Sequence, residues 1–356
     1  MAAAALRPDL RPGLKWDDQD YRIARLTGSY RCSIYGLGVV ANSTIPGVPA
    51  STIASEDIRI SFGSLPAWLH EVSDTQIETS YVADYKSAFG EPALRVFRVL
   101  DGRYYRFRYA DETEFVVDNA GTEVWAAWNE PLTLEDTATY LLGPVMGFVM
   151  LLRGVVCLHA SAVVIGNEAI ALLGPAGSGK STTAAAFAEL GYSVLAEDVV
   201  TLDDQGDHFL VRPGYPCIRL WPASVKALYG SETHLPRLTP NWDKCYLDLS
   251  DNFQREPLRL AAIYHLGERR HETSAPFVQA LDRSEGLMSL VANTYATKLM
   301  DKQMRAREFE LLTRVVKNVP LRRVTPHADP SRISDLCARI VEDFFSHKKA
   351  QKHKTA

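Results

Sequence analysis

The stretch Gly174-Pro175-Ala176-Gly177-Ser178-Gly179-Lys180-Ser181-Thr182 decides the fold, because it satisfies the pattern G-x-x-x-x-G-K-[ST] in the right setting. Upstream, Ala169-Ile170-Ala171-Leu172-Leu173 reads as a buried strand; downstream, Ser181 to Leu190 reads as a helix stopped by Gly191. A loop built this way turns its backbone N–H groups toward phosphate oxygens. Lys180 adds a point charge for terminal phosphates, and the Ser181 hydroxyl is placed to ligate Mg²⁺.

Working outward, two apolar runs, Ala162 to Ile165 and Ala169 to Leu173, are joined through Gly166-Asn167, a dipeptide suited to a two-residue hairpin. That register sets Ile165 against Glu168 and, at the open end, His159 against Gly174. A lone histidine at a strand start is usually structural; here the register favours a place near the phosphates or the metal. On the other side, Ser193 to Ala196 forms a short apolar strand ending in Glu197-Asp198, with Val199-Val200 behind it. Acids flanked by apolar residues are costly without a cation, and a strand end beside a phosphate loop is where Mg²⁺ ligation and proton abstraction are needed.

The chain has 356 residues, 46% of them hydrophobic, and a net charge of −4, enough for two domains with real cores. The charge balance leaves no footprint for nucleic acid, even though Tyr105-Arg106-Phe107-Arg108-Tyr109 interleaves aromatic and basic residues; that alternation fits a half-buried strand. Five cysteines without C-x-x-C spacing fit reduced thiols in a cytoplasmic protein. Met1 to Pro12 lacks the features of a secretory signal. The apolar span Tyr140 to Leu152 is short for a membrane helix and is expected to be a buried core helix.

Residues 1–133 read as a β-rich N-terminal domain, with strands at Arg31 to Val40, Asp57 to Phe62, Leu94 to Val99, Tyr105 to Tyr109, Glu114 to Val117 and Glu123 to Trp128. A linking helix is expected over 134–154, the loop domain over 155–346, and a basic disordered tail over 347–356. Later helices are expected at Ser224 to Tyr229, Glu285 to Leu299, Lys302 to Lys317 and Ser331 to Phe345. Leu287, Leu290, Val291, Thr294 and Tyr295 fall at helical spacing and read as a core stripe.

The motifs H-A-S-A-V at 159–163, GPAGSGKST at 174–182 and V-L-A-E-D at 194–198 resemble the catalytic domain of the HPr kinase/phosphorylase superfamily. That resemblance implies an α/β fold with a phosphate-loop kinase domain of the HPr kinase and phosphoenolpyruvate carboxykinase type, using ATP and Mg²⁺. It makes Gly174, Pro175, Ala176, Gly177, Ser178, Gly179, Lys180, Ser181 and Thr182 the nucleotide-binding residues, and Ser181 and Asp198 the metal-site residues. Glu197 becomes the carboxylate that accepts the hydroxyl proton, and His159 a neighbour supporting that chemistry. The family has Asp where this chain has Glu197, and its second signature has no evident match here.

In its place stand Tyr215-Pro216-Cys217-Ile218-Arg219-Leu220-Trp221-Pro222, Lys244 in an N-W-D-K-C-Y-L-D-L stretch, and Leu290 to Tyr295. These, with Tyr35-Gly36-Leu37, resemble the stand-alone HPr-kinase-like enzymes of lasso-peptide biosynthesis, which implies a Ser/Thr hydroxyl near the C-terminus of a precursor peptide as acceptor. A protein or peptide substrate, no nucleic acid, no membrane span and a homo-oligomer are the partner expectations. Arg219 and Lys244 are further candidates for phosphate contact, each equally readable as an ordinary cation. A small-molecule hydroxyl kinase and a non-catalytic ATP-binding assembly or regulatory protein are the other readings; no N-K-x-D signature supports a GTPase.

Overall fold

Alternating apolar and polar residues build the first half into one sheet. The computed structural model describes residues 29–87, 90–230 and 235–355, so the segment Met1 to Pro12 lies outside the described residues. Strands β1 (Tyr30–Ile34), β2 (Leu37–Ala41), β3 (Ile58–Phe62), β4 (Ile77–Val82), β5 (Leu94–Val99), β6 (Tyr104–Tyr109), β7 (Glu114–Asp118) and β8 (Glu123–Ala127) take the order β1-β2-β3-β8-β7-β6-β5-β4. The single strand expected over Arg31 to Val40 is instead a hairpin. Tyr35 and Gly36 have φ of 52° and 74°, as a two-residue type I′ turn requires, and the turn folds Arg31 back against Val40.

The linking segment is helical but not uniformly α. Helix α1 (Leu134–Tyr140) starts at Thr133, whose hydroxyl accepts from the Asp136 N–H; a π turn (Leu141–Val145) follows, then α2 (Met146–Leu152). Pro144 inside the π turn has no N–H to return to the preceding turn, which widens the helix there. The apolar span is buried as expected: Leu141, Val145, Phe148 and Met150 pack with Val96, Phe107 and Val117 of the sheet. Phe148 meets Tyr105 and Phe107 edge-on at 4.8 and 5.3 Å. Among the described residues no helix is long and apolar enough to cross a membrane. Cys157, Val199 and Tyr215 join the same cluster, so the two halves of the chain share this core.

The second half is mixed α/β. Its strands are β9 (Val156–Ile165), β10 (Glu168–Leu173), β11 (Val194–Ala196), β12 (Val199–Asp204), β13 (Phe209–Val211), β14 (Cys217–Leu220), β15 (Cys245–Asp248), β16 (Leu258–Leu266), β17 (Phe277–Ala280) and β18 (Leu321–Thr325). The main sheet runs β10-β9-β12-β13-β16-β18-β17, and a further β10–β16 pairing closes a circuit through β9, β12 and β13. β14 and β15 form a separate ribbon.

The helices here are α3 (Lys180–Glu189), α4 (Pro222–Tyr229), α5 (Arg283–Ala292), α6 (Lys302–Asn318) and α7 (Ile333–Thr355). Side chains alternate across β10, so Ile170 and Leu172 pack with Phe187 of α3 and Ile340 and Phe344 of α7. Ala169, Ala171 and Leu173 pack with Leu290 of α5 and Leu312 and Val315 of α6.

Two helix expectations need correction. The helix expected over Glu285 to Leu299 stops at Ala292, because the edge of β9 takes over the backbone: Tyr295 N donates to Cys157 O at 2.8 Å, and His159 N donates to Asn293 O at 2.7 Å. Residues 347–355, expected as a disordered tail, continue α7; Lys348 pairs with Glu168, and its Nζ lies 5.3 Å from the centre of the Phe344 ring one turn back.

Candidate functional site

β9 carries the site. One edge pairs with β10 in the expected hairpin register, from Ile165 opposite Glu168 to Ala160 opposite Leu173. Its other edge pairs with β11 (Ala162 opposite Ala196) and with β12 (His159 opposite Val199). The loop strand and the acid strand thus flank β9, about 10 Å apart at ordinary strand spacing. The loop leaves the ladder at Gly174, and the His159 ring is engaged by the acid pair instead: Nδ1 lies 3.0 Å from Asp198 Oδ1 and 3.2 Å from the Asp198 carbonyl oxygen. Both partners accept, so Nδ1 carries the proton.

Glu197 and Asp198 sit in a tight turn between β11 and β12. Asp198 has φ of 66°, and Val199 N donates to Glu197 O at 2.8 Å, which makes a three-residue γ-turn centred on Asp198. A non-glycine residue in this conformation is strained, and such strain collects at functional sites. The turn aims the two carboxylates at different partners. Ser181 Oγ, at the start of α3, donates to Glu197 Oε1 at 2.8 Å. Asp198 Oδ2 accepts from Arg219 Nη2 at 2.8 Å and from the Tyr295 hydroxyl at 3.0 Å. Ser181 and Asp198, expected together as metal-site residues, are therefore linked through Glu197 and the turn.

Arg219, on β14, is 8% exposed; besides Asp198 it faces Glu197 Oε2 across 3.6 Å and donates from Nη1 to the Thr139 carbonyl at 3.2 Å. Thr139 lies five residues before Pro144, where a π turn would otherwise find a donor. Arg219 is thus the counter-charge of the acid pair. Lys244 stands with its Nζ 5.2 Å from the centre of the Trp221 ring, near enough to the acids to favour their ionised forms.

Burial pushes the Glu197 carboxyl above its ordinary value; Arg219 opposes this and the Asp198 charge adds to it. Burial alone would raise Asp198 as well, but Arg219 and His159 outweigh it and hold the carboxyl well below the usual carboxylate range. The acids are driven apart, the arrangement that separates a proton acceptor from a fixed charge. Lys180 is lowered by burial, against the pull of both acids; its Nζ donates to the carbonyls of Gly174 at 2.8 Å and Pro175 at 3.2 Å.

The donors suit a hard cation. Ser181 keeps oxygen lone pairs while donating to Glu197, and Glu197 Oε2 is buried without a hydrogen bond. Among the described residues no group of three or more His, Cys, Asp or Glu could hold a metal unaided. Mg²⁺ needs no such cage, since it is held by one or two protein groups together with phosphate oxygens. Beside the loop lies a cavity of about 180 Å³, lined among others by Ser178, Gly179, Thr182, Arg269, His327 and Asp329.

Ser181 meets Glu197 and His159 meets Asp198, and two further residues join them. Tyr295, expected in a core stripe, contacts Asp198; Arg219, a candidate phosphate contact or ordinary cation, pairs with both acids. Pro144 within an apolar helix was the available signal that the linking segment is not an ordinary core helix. No family model matches the chain, and no curated protein matches it. Among solved structures it is similar to the Hpr(Ser) kinase/phosphatase from Coxiella burnetii, with a TM-score of 0.31 and 11% identity over 56% of this chain and 95% of that chain. At that degree of likeness, the chemistry of this chain is read from its own residues.

Proposed function

We propose that this chain transfers the γ-phosphoryl group of ATP to a Ser or Thr hydroxyl of a peptide or protein, with the C-terminal region of a lasso-type precursor as the acceptor. The observation that carries this reading is the Ser181–Glu197 hydrogen bond of 2.8 Å, which ties the loop to an acid pair that also holds His159. Gly174 to Thr182 cradle the donor phosphates, and Lys180 exchanges its loop carbonyls for phosphate oxygens. The cavity beside Ser178 and Thr182 takes the nucleoside. Mg²⁺, held at Ser181 with the Asp198 charge nearby, would neutralise charge on the phosphates.

In the transfer, the acceptor oxygen bonds to the γ-phosphorus, the bond from that phosphorus to the β–γ bridging oxygen breaks, and ADP leaves. Glu197, whose carboxyl is raised and whose Oε2 accepts no hydrogen bond although Arg219 faces it at 3.6 Å, takes the hydroxyl proton. Asp198 stays ionised and fixes His159. The segments that resemble lasso-type kinases supply Arg219 and Tyr295, both in contact with Asp198; that resemblance is what supports a peptide acceptor.

The test is mass spectrometry of Ser/Thr-bearing precursor peptides incubated with protein, ATP and Mg²⁺. A peptide gaining one phosphoryl group, with ADP formed in equal amount, is expected. Transfer only to small alcohols would replace the acceptor class, and ATP binding without transfer would leave a nucleotide-binding assembly protein.

A further inference from the structure

The linking segment approaches the acid pair more closely than side chains allow. A Cβ on Gly143, in the π turn, would stand 2.9 Å from Asp198 Oδ2 and 3.3 Å from the Tyr295 hydroxyl oxygen. One on Gly147, in α2, would stand 2.6 Å from Tyr295 Cδ1. The two glycines thus form a slot that admits the Tyr295 ring edge-on and lets its hydroxyl reach Asp198. The slot is braced from both halves of the chain: Tyr35, in the β1–β2 turn, donates to the Leu142 carbonyl at 2.7 Å, and Arg219 donates to the Thr139 carbonyl. On its other side the Tyr295 ring meets His159 edge-on at 5.7 Å.

We infer that Tyr295 is a positioning residue for the Asp198–His159 pair, and that the Gly143–Gly147 slot of the linking segment holds it in place. Asp198 Oδ2 accepts from Tyr295 and Arg219 together while Oδ1 faces His159, so the carboxylate cannot rotate without losing a partner. The Tyr295 hydroxyl is the donor in this contact, because a carboxylate oxygen accepts. The N-terminal sheet gains a role by this route, since it packs against the helix that carries the slot.

The inference rests on the phosphoryl-transfer reading, and a kinetic double-mutant cycle separates the two. Tyr295→Phe keeps the ring and removes the hydrogen bond; Gly147→Ala closes the slot. Each is expected to lower kcat about tenfold, the order one charge-assisted hydrogen bond supplies, with ATP affinity unchanged. The double variant should be no slower than the slower single variant, because both act through the same hydroxyl. Wild-type kcat in Tyr295→Phe, or multiplicative losses in the double variant, overturns the positioning role. Circular-dichroism melts of the isosteric Tyr295→Phe separate lost positioning from lost folding. If the wild-type protein transfers no phosphate, the functional reading itself fails and this inference falls with it.

Discussion

Ser181 Oγ donates to Glu197 Oε1 at 2.8 Å, which makes the loop and the acid turn one hydrogen-bonded unit although a whole helix separates them in sequence. Glu197→Gln preserves that bond, because the amide oxygen still accepts, but it removes the capacity to take a proton. Transfer should fall by about 10²- to 10⁴-fold with ATP affinity little changed. Steady-state kinetics alongside ATP titration checks this, and near-normal turnover would remove Glu197 as the proton acceptor.

Stability should respond to the two acids with opposite sign. Glu197 is raised above 4.5, so its contribution is fully present below that value and is lost as pH rises through the folded value. Glu197→Gln should therefore melt higher than wild type near neutral pH and level with it at about pH 4. Asp198 is depressed below 3.8; its contribution is present above that value and is lost as pH falls through the folded one. Asp198→Asn should melt lower at neutral pH. Thermal melts across a pH series decide both, and shifts of one sign for the two variants would contradict the assignment.

Lys180 and His159 should separate by kinetic signature. Lys180→Ala removes the charge poised over the loop and should abolish detectable transfer while weakening ATP binding. His159→Ala leaves the loop intact and should reduce kcat more than ATP affinity. Unchanged turnover in His159→Ala would make the histidine purely structural.

The parts of the site that were legible in the sequence are those set by local spacing. The loop lies between strand and helix as expected, and the Gly166-Asn167 turn fixed the β9–β10 register through Ala160 opposite Leu173. Asp198 follows β11 closely enough that its place at a strand end was readable. The contacts of Arg219 and Tyr295 with the acids were not, because each reaches them from a distant element through tertiary packing. Tyr295 continued a helical stripe with Leu287, Leu290 and Val291, and periodicity carries no record of the β9 edge claiming the backbone N–H of Tyr295. The π turn escaped for a related reason: hydrophobic pattern reports burial, whereas Pro144 changes the hydrogen bonding beneath it.

Pro144→Ala restores an N–H to the linking helix, giving the Thr139 or Tyr140 carbonyl an internal donor. Relief of an interior proline, worth up to about 3 kcal/mol, should keep the melting temperature from falling. Transfer should nonetheless slow, because tightening the turn competes with Arg219 for the Thr139 carbonyl and shifts Gly143 against Asp198. A loss of kcat without loss of stability is the expected pairing, and wild-type kcat would show that the π turn does not set the geometry of the acids.

Arg219 should behave as the counter-charge of both acids. It is 8% exposed between Glu197, 5% exposed, and Asp198, 18% exposed, so Arg219→Met leaves two carboxylates in a poorly solvated site without their guanidinium. Breaking such a buried pair from one side costs about 3–5 kcal/mol. In a Glu197→Gln/Asp198→Asn background the same substitution should cost far less, since no uncompensated negative charge remains. Chemical denaturation of the four proteins in this cycle measures the difference directly. An equal penalty in both backgrounds would assign Arg219 a packing role and leave the ionisation of Asp198 to His159 and Lys244.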